Sequence, residues 1–336
     1  MKNLLYIGNK LQQTNKTLTT IDTLSKNLQR ESYHVISASG KKNKLFRLFD
    51  MLYHIVKHRK TTDYVLIDTY STLNFYYAYL CSKLCVFFKL KYIPMLHGGN
   101  LPERLKSSPK LSASIFNKAH VNIAPSLYIK SSFEDSGFEN VECIPNAIEI
   151  ENYPFKKRHF DKVKLLWVRS FSKIYNPTLA IKIAKILKDK HMDVALCMVG
   201  PDNDGSLDEV KTLAKKLNIT VRFTGKLPKE AWIKLSEDYN IFINTTNFDN
   251  MPVSVIEAMA LGLPVVSTNV GGMSFLIEDG VDGILVRPND ERAFVEAVNK
   301  VISSIEDIEK MTLLARKKVE NFDWEIVKHQ WISVLK

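Results

Sequence analysis

The chain has 336 residues, enough for two domains of ordinary size, and its 45% hydrophobic and 25% charged residues are the proportions of a folded globular protein. No apolar run reaches the length of a bilayer span, the start Met-Lys-Asn-Leu-Leu-Tyr-Ile-Gly is expected to run into a first strand rather than a signal peptide, and four scattered cysteines (81, 85, 143, 197) do not make a disulfide framework, which points to a reducing cytoplasm. A net charge of +11 calls for an anionic partner: nucleic acid, an anionic membrane surface or a phosphorylated substrate.

In chain order, the apolar run 4–7 predicts a strand ending at Gly8, and residues 17–30, apolar at Leu18, Ile21, Leu24 and Leu28, predict a helix. Residues 35–37 predict a second strand. A basic stretch follows, in which Lys41, Lys42, Lys44, Arg47, Lys57, Arg59 and Lys60 bracket a helix carrying Phe46, Phe49, Leu52 and Ile55, against a single Asp50. A basic amphipathic helix with aromatic residues suits an anionic membrane surface. It equally suits a core helix whose ends are solvated by lysines, and both readings stand. No nucleic-acid module accompanies the charge, so nucleic acid is not an expected partner.

Residues 64–68 predict a third strand, 73–88 an aromatic-rich core helix, and 91–96 a fourth strand. Cys81 and Cys85 share a helix face, but two thiols make no zinc site and are read as buried. The fourth strand leads into His97-Gly-Gly-Asn-Leu-Pro-Glu-Arg104, a loop whose glycines let a ligand approach the backbone, with His97 at the strand's carboxyl edge. Strands at 120–124 and 141–144 flank a helix at 126–135, and Pro145-Asn146 follows.

Between 149 and 162 periodicity lapses into polar and basic residues with Pro154, an expected interdomain linker. A second alternating series starts with the strand 164–168, which feeds Arg169-Ser-Phe-Ser-Lys173; Asn176-Pro177 then opens a helix to about residue 190. Two cations in a loop at a strand's carboxyl end suit a departing diphosphate, the alternative being a salt-bridged surface pair. The strand 194–199 ends in Gly200-Pro201, another backbone-accessible loop. Asp202-Asn-Asp204 matches an Asp-x-Asp element only as a loop, so no metal is expected. A strand at 221–224, ending in Gly225-Lys226, and a short helix at 230–237 precede the buried strand 241–244.

The densest signal comes next. A polar loop holds Asp249 and Asn250, Pro252 fits an early helical position, Ser254 and Glu257 have capping-box spacing, and Gly262 with Pro264 stops a helix of about 253–261 before the strand at 265–267. This βαβ unit sets Asn250, Met251, Pro252 and Val253 at a helix N-terminus, where free backbone N–H groups and the helix dipole attract a phosphate. Asp249 and Glu257 then offer two carboxylates to hydroxyl groups, and the combination describes a nucleotide sugar. The alternative leaves Glu257 as the partner of a Ser254 cap and Asp249 as a solvated turn residue. A last strand at 283–286, a helix from about 291 and an amphipathic segment at 322–332 complete the chain.

Over Asp249, seven residues, then Glu257-Ala-Met-Ala-Leu-Gly-Leu-Pro264, the chain resembles the retaining GT-B glycosyltransferases of family 4, group 1, which include sucrose-synthase-like and bacterial polysaccharide and glycolipid enzymes. The resemblance is strong over residues 165–290 and thin before them. It implies an α/β GT-B fold of two Rossmann-like doubly wound domains facing a central cleft: 1–150 on the acceptor side, a linker at 151–163, a donor-binding domain at 164–320, and a helix at 321–336 packing back on the first domain. It also implies a UDP-sugar or other nucleoside-diphosphate sugar as donor, a glycan or lipid-linked acceptor, no cofactor and no metal. The expected location is cytoplasmic, with peripheral attachment to the membrane's inner face on the membrane reading of the basic stretch 41–60.

Carried over by residue, the resemblance assigns Asp249, where the family usually has Glu, to the donor sugar and Glu257 to the ribose. Arg169 and Lys173, slightly closer together than usual, take the diphosphate. His97 lies beside the donor sugar. Gly8 stands where relatives commonly carry a Gly-Gly pair, with Asn15 and Lys16 as stand-ins, and Gly200 lines the donor side. Glu103, Arg104 and Asn146 fall on the acceptor side, although Asn146 equally suits a turn cap. Rival readings are a related sugar-nucleotide epimerase or phosphorylase, and a catalytically silent subunit that binds a membrane surface.

Overall fold

The computed structural model describes residues 1–10 and 20–336, so Asn15, Lys16 and the expected helix start at Thr17 lie outside the described residues. The chain divides into two compact units, one of Met1–Asn146 with Trp324–Lys336 and one of Ala147–Asp323.

Unit 1 runs β1 (Asn3–Ile7), α1 (Thr20–Arg30), β2 (His34–Ala38), α2 (Lys44–His58), β3 (Tyr64–Thr69), α3 (Asn74–Phe87), β4 (Lys91–Leu96), α4 (Leu101–Ser107), α5 (Pro109–Phe116), β5 (Asn122–Ala124), α6 (Leu127–Glu134) and β6 (Val141–Cys143). Unit 2 continues with β7 (Val163–Val168), α7 (Pro177–Asp189), β8 (Val194–Val199), α8 (Ser206–Lys216), β9 (Val221–Gly225), α9 (Lys229–Ser236), β10 (Ile241–Asn244), α10 (Val253–Ala260), β11 (Val265–Thr268), α11 (Met273–Leu276), β12 (Ile284–Val286), α12 (Glu291–Ser303) and α13 (Ile305–Glu320). The chain then returns to unit 1 as α14 (Trp324–Val334), where the Trp324 indole donates to Glu31 over 3.1 Å and the Tyr64 hydroxyl donates to the Lys336 carbonyl.

Each unit is built on a six-stranded parallel sheet, ordered β2-β1-β3-β4-β5-β6 in one and β12-β11-β10-β7-β8-β9 in the other. Strands buried on both faces read as unbroken apolar runs, as in Tyr64-Val-Leu-Ile of β3. The pleat then deals alternate residues to opposite faces. Leu165 and Trp167 of β7, with Ile241 and Ile243 of β10, enter one hydrophobic cluster, whereas Leu166 and Phe242 enter the other, beneath α10. This is the doubly wound, Rossmann-like α/β architecture the alternation predicts.

The strand orders also locate the sites. In the first sheet the chain moves outward from β1 to β2 and then returns past β1 to β3; in the second it moves outward from β7 and returns to β10. Crossover connections diverge at these reversals and leave a crevice beyond the carboxyl ends of the strands, where ligands bind in open α/β sheets.

Some elements differ from expectation. The loop expected after His97 contains α4, followed directly by α5; both are short and carry Pro in the first turn, too short for a 3.6-residue period to register. α8 buries only Ser206, Val210 and Ala214, a stripe too poor in large apolar residues to read as a helix. The expected linker is packed into unit 2, where Tyr153 is buried and the Arg158 guanidinium donates to the carbonyls of Ser236, Tyr239 and Leu261. Cys81 and Cys85 are buried side by side in the core, and burial pushes the Cys81 thiol up to about 12.

Candidate functional site

Arg169 is the first residue past β7, and Asp249 lies in the loop past β10, so both stand at the reversal point of the second sheet. The Arg169 and Asp249 side chains form an ion pair, each 14% exposed, and the Arg169 guanidinium lies over the Tyr175 ring with its carbon 4.4 Å from the centroid. Burial disfavours the charged guanidinium, and the Asp249 carboxylate supplies the countercharge.

Backbone contacts sew the two loops together. The Asn247 N–H donates to the Ile174 carbonyl over 2.8 Å, the Asn247 side-chain amide to the Lys173 carbonyl, and the Thr245 hydroxyl to the carbonyls of Tyr175 and Asn176. Lys173 itself lies in a 3-10 turn (Lys173–Tyr175) with its side chain exposed. Gly200 is required by a close approach: a Cβ there would lie 1.8 Å from the Arg169 carbonyl oxygen. Asp204, of the Asp-x-Asp match, accepts from the Ser172 hydroxyl and the Lys173 N–H. The Ser206 hydroxyl, which also donates to it, and then the Lys173 N–H and Ser172 hydroxyl hold its carboxyl down at about 2. Asp202 accepts from the Gly205 N–H, so both carboxylates serve the loop. Among the described residues no group of three or more His, Cys, Asp or Glu is arranged to hold a metal.

α10 starts one residue after a proline N-cap and carries no side-chain cap. The capping-box alternative for Ser254 and Glu257 is therefore not formed: Ser254 lies inside the helix, its hydroxyl has no hydrogen-bond partner among the described residues, and Glu257 points elsewhere. No side chain caps the first N–H groups of α10, whereas in the expected stretch of Asn250, Met251, Pro252 and Val253 the Asn250 N–H donates to Asp249 Oδ1 over 2.9 Å and Pro252 has no N–H to offer. Asn250 and Pro252 are buried, and Met251 and Val253 half-buried. Glu257 is buried, accepts from the Tyr153 hydroxyl over 2.6 Å and pairs with the Lys229 ammonium over 2.8 Å, both on Oε1. Burial, reinforced by that carboxylate, keeps Tyr153 a neutral donor.

In unit 1 a second cluster forms where β1, β3 and β4 end. His97 is buried with Nε2 2.8 Å from Asp68 Oδ1, the Tyr6 hydroxyl donates to the same oxygen over 2.9 Å, and the Tyr70 ring lies 5.1 Å from the imidazole. A carboxylate on Nε2 selects the tautomer with the proton there. Burial, then Asp68, raises the Tyr6 pKa and keeps the phenol neutral. Gly8 closes the cluster: a Cβ there would lie 2.2 Å from Asp68 Oδ2.

The acceptor-side candidates are not gathered into this cluster. Glu103 pairs with Lys106 on the surface, Arg104 donates to the Ser71 carbonyl over 2.9 Å while stacking on Phe75, and Asn146 is half-buried at the end of the first stretch of unit 1. Sequence reasoning missed Asp68, Tyr6, Tyr153, Tyr175 and Lys229. Asp68 had a readable signal, a carboxylate ending an apolar strand, but Tyr153 had none, since it stood in a segment read as a linker.

Residues 149–318, just over half of the chain, match the family model described as glycosyl transferases group 1. The chain is 26% identical over 263 residues to the amylovoran biosynthesis glycosyltransferase AmsK of Erwinia amylovora, covering 73% of this chain and 63% of that protein. It is 26% identical over 179 residues to spore coat protein SA of Bacillus subtilis, covering 51% and 48%. The match thus spans about half to two thirds of the length of these curated relatives. In structure the chain is similar to Anabaena Alr3699/HepE, crystallised in complex with UDP-glucose, with a TM-score of 0.81 at 17% identity over 100% of this chain and 99% of that one. That likeness shows the fold, which is that of the GT-B glycosyltransferases. The matched segment contains Arg169, Asp249, the bare N-terminus of α10 and Glu257, and the chain belongs to the group 1 glycosyl transferases.

Proposed function

We propose that the chain is a retaining, metal-independent glycosyltransferase. It moves a hexosyl group from a UDP-sugar or other nucleoside-diphosphate sugar to a hydroxyl of a glycan or lipid-linked saccharide, in surface polysaccharide or glycolipid synthesis. The observation that carries the reading is the Arg169–Asp249 pair at the reversal point of the second sheet, beside an α10 N-terminus without a side-chain cap. Relatives described as glycosyltransferases, and a structural neighbour described with UDP-glucose, support it.

The diphosphate sits on the α10 amides and draws Arg169, whose planar fork is shared between Asp249 and a phosphate oxygen. Lys173 adds a second cation, and Asp249 then accepts from a sugar hydroxyl. Both partners of Glu257 engage Oε1, and Oε2 is the oxygen this reading assigns to the ribose. His97 keeps the donor-sugar role that the resemblance implies. The bond between the anomeric carbon and the β-phosphate oxygen breaks while the acceptor oxygen bonds to the same face of that carbon. The acceptor's proton passes to the leaving phosphate, giving the glycoside and a nucleoside diphosphate. The cations stabilise the charge that grows on the leaving group.

A thermal-shift panel of nucleotide sugars identifies the donor, because a ligand of the folded state raises its stability. With that donor, Arg169→Ala should lose about 10²-fold in kcat, the scale of one lost oxyanion contact, and a chelator should leave turnover unchanged. Stabilisation by no nucleotide sugar, or undiminished turnover in Arg169→Ala, refutes the reading.

A further inference from the structure

α2 and α3 lie side by side on one face of the first sheet, as right-handed crossovers in the same direction require. Their shared seam buries Met51, Ile55, Ala78, Cys81 and Cys85, and the Tyr77 hydroxyl donates to the Lys44 carbonyl over 3.0 Å. The outward sides are also apolar. Leu45, Phe46, Phe49 and Tyr53 of α2 are 59–69% exposed, at spacings of three and four along the helix. Tyr76, Leu80 and Phe87 make a parallel exposed stripe on α3, with Phe87 77% exposed.

α2 is therefore not a core helix with solvated ends, since it buries only Met51 and Ile55. Folded monomers rarely display so many large apolar groups on one contiguous face. The charge around the face is mainly positive: residues 41–91 hold ten Lys or Arg against three Asp, of which Asp68 is buried beside His97 and Asp50 lies among Phe46, Phe49 and Tyr53. Lys41, Lys42 and Lys44 at one end of α2, and Lys57 and Lys60 at the other, are exposed.

We propose that the α2–α3 face docks on an anionic bilayer, with Phe46, Phe49 and Tyr53 inserted at the boundary between headgroups and acyl chains and the flanking lysines on lipid phosphates. Charge complementarity selects this occupant. In a symmetric contact with a second copy the basic rims would face each other, whereas a lipid surface supplies the opposite charge and an apolar layer together. The attachment is peripheral, since among the described residues no helix is long and apolar enough to cross a membrane. Neither stripe contains Arg169, Asp249 or Glu257, so the inference goes beyond the proposed transfer reaction and stands or falls separately from it.

The test is co-sedimentation of the full chain with phosphatidylcholine vesicles, with and without phosphatidylglycerol, at two salt concentrations. Raising salt from about 0.1 to about 0.5 M shortens the Debye length from ~10 Å to about half that. The unaltered chain should bind the anionic vesicles, less tightly at high salt but still measurably. Phe46→Ser with Phe49→Ser should lower partitioning at both salts by at least about tenfold, since burial of one phenylalanine is worth that much. Lys41→Ser, Lys42→Ser and Lys44→Ser together should remove the salt-sensitive part only. Unchanged melting temperatures would show that the variants fold, as expected for exposed positions. No binding to anionic vesicles, or vesicle binding by the phenylalanine variant equal to that of the unaltered chain, overturns the proposal. So does a dimer in analytical ultracentrifugation that the phenylalanine substitutions dissociate, because the face would then belong to a second copy.

Discussion

Replacing Tyr153 by phenylalanine removes one hydroxyl and leaves the ring, so it isolates the 2.6 Å hydrogen bond to buried Glu257. A hydrogen bond to a charged group contributes about 1.5–3 kcal/mol, and losing it here leaves the carboxylate one partner short in a site with little water. Lys229, 2.8 Å from the same oxygen, still balances the charge. That places the cost at the lower end, about 1.5–2 kcal/mol. For a domain of roughly 150–250 residues each kcal/mol moves the melting temperature by about 2–4 °C, so unit 2 should melt ~3–8 °C lower. Calorimetry reads the loss, and repeating it with UDP tests the proposed ribose contact: if Glu257 grips the nucleotide, Tyr153→Phe should also bind UDP less well. A double-mutant cycle with Glu257→Gln separates the bond from lost packing, with an expected coupling of about 1 kcal/mol or more. Melting within error of the unaltered chain, together with zero coupling, would refute the assignment of Tyr153 as the residue that positions Glu257.

Three further outcomes follow from the geometry. Gly200→Ala drives a methyl into the Arg169 carbonyl oxygen, which should cost about 1–3 kcal/mol in a urea titration and, if Arg169 bears on the diphosphate, weaken donor binding as well. Asp68→Ala strips the oxygen shared by Tyr6 and His97 and should destabilise unit 1 by about 1–3 kcal/mol in chemical denaturation, since two buried polar groups lose a partner. Asp204 has a depressed carboxyl, so its contribution is complete above the unfolded value of about 3.9 and fades as pH falls towards about 2. The stability gap between the unaltered chain and Asp204→Ala should accordingly be constant above about pH 5 and close between pH 4 and 2; a gap independent of pH would contradict the hydrogen bonds that Ser206, Lys173 and Ser172 make to this carboxylate.

Where local chemistry repeats along the chain, the elements were legible before folding. β10, the loop after it and α10 were placed within a residue because an apolar run, a proline, and a Gly-x-Pro stop act within one or two turns. The Ser254–Glu257 capping box failed for a reason that spacing cannot carry. The helix begins two residues earlier than a cap at Ser254 requires, and Glu257 meets a tyrosine 104 positions away in sequence. α2 shows the same limit: its amphipathic pattern was plain, but a stripe of phenylalanines looks identical whether a neighbour covers it or not.

The sequence by itself determined that two parallel sheets alternate with helices, and that Arg169, Asp249 and Glu257 fall at strand ends and a helix start, because periodicity and turn chemistry are local properties of the chain. Which charge meets which was decided only in three dimensions. The order of β7 and β10 brings Arg169 to Asp249, and the burial of the segment after Asn146 brings Tyr153 to Glu257. Those contacts join residues far apart in the chain, and it is the sheet order and the packing of apolar faces, rather than any nearby residue, that set their distance.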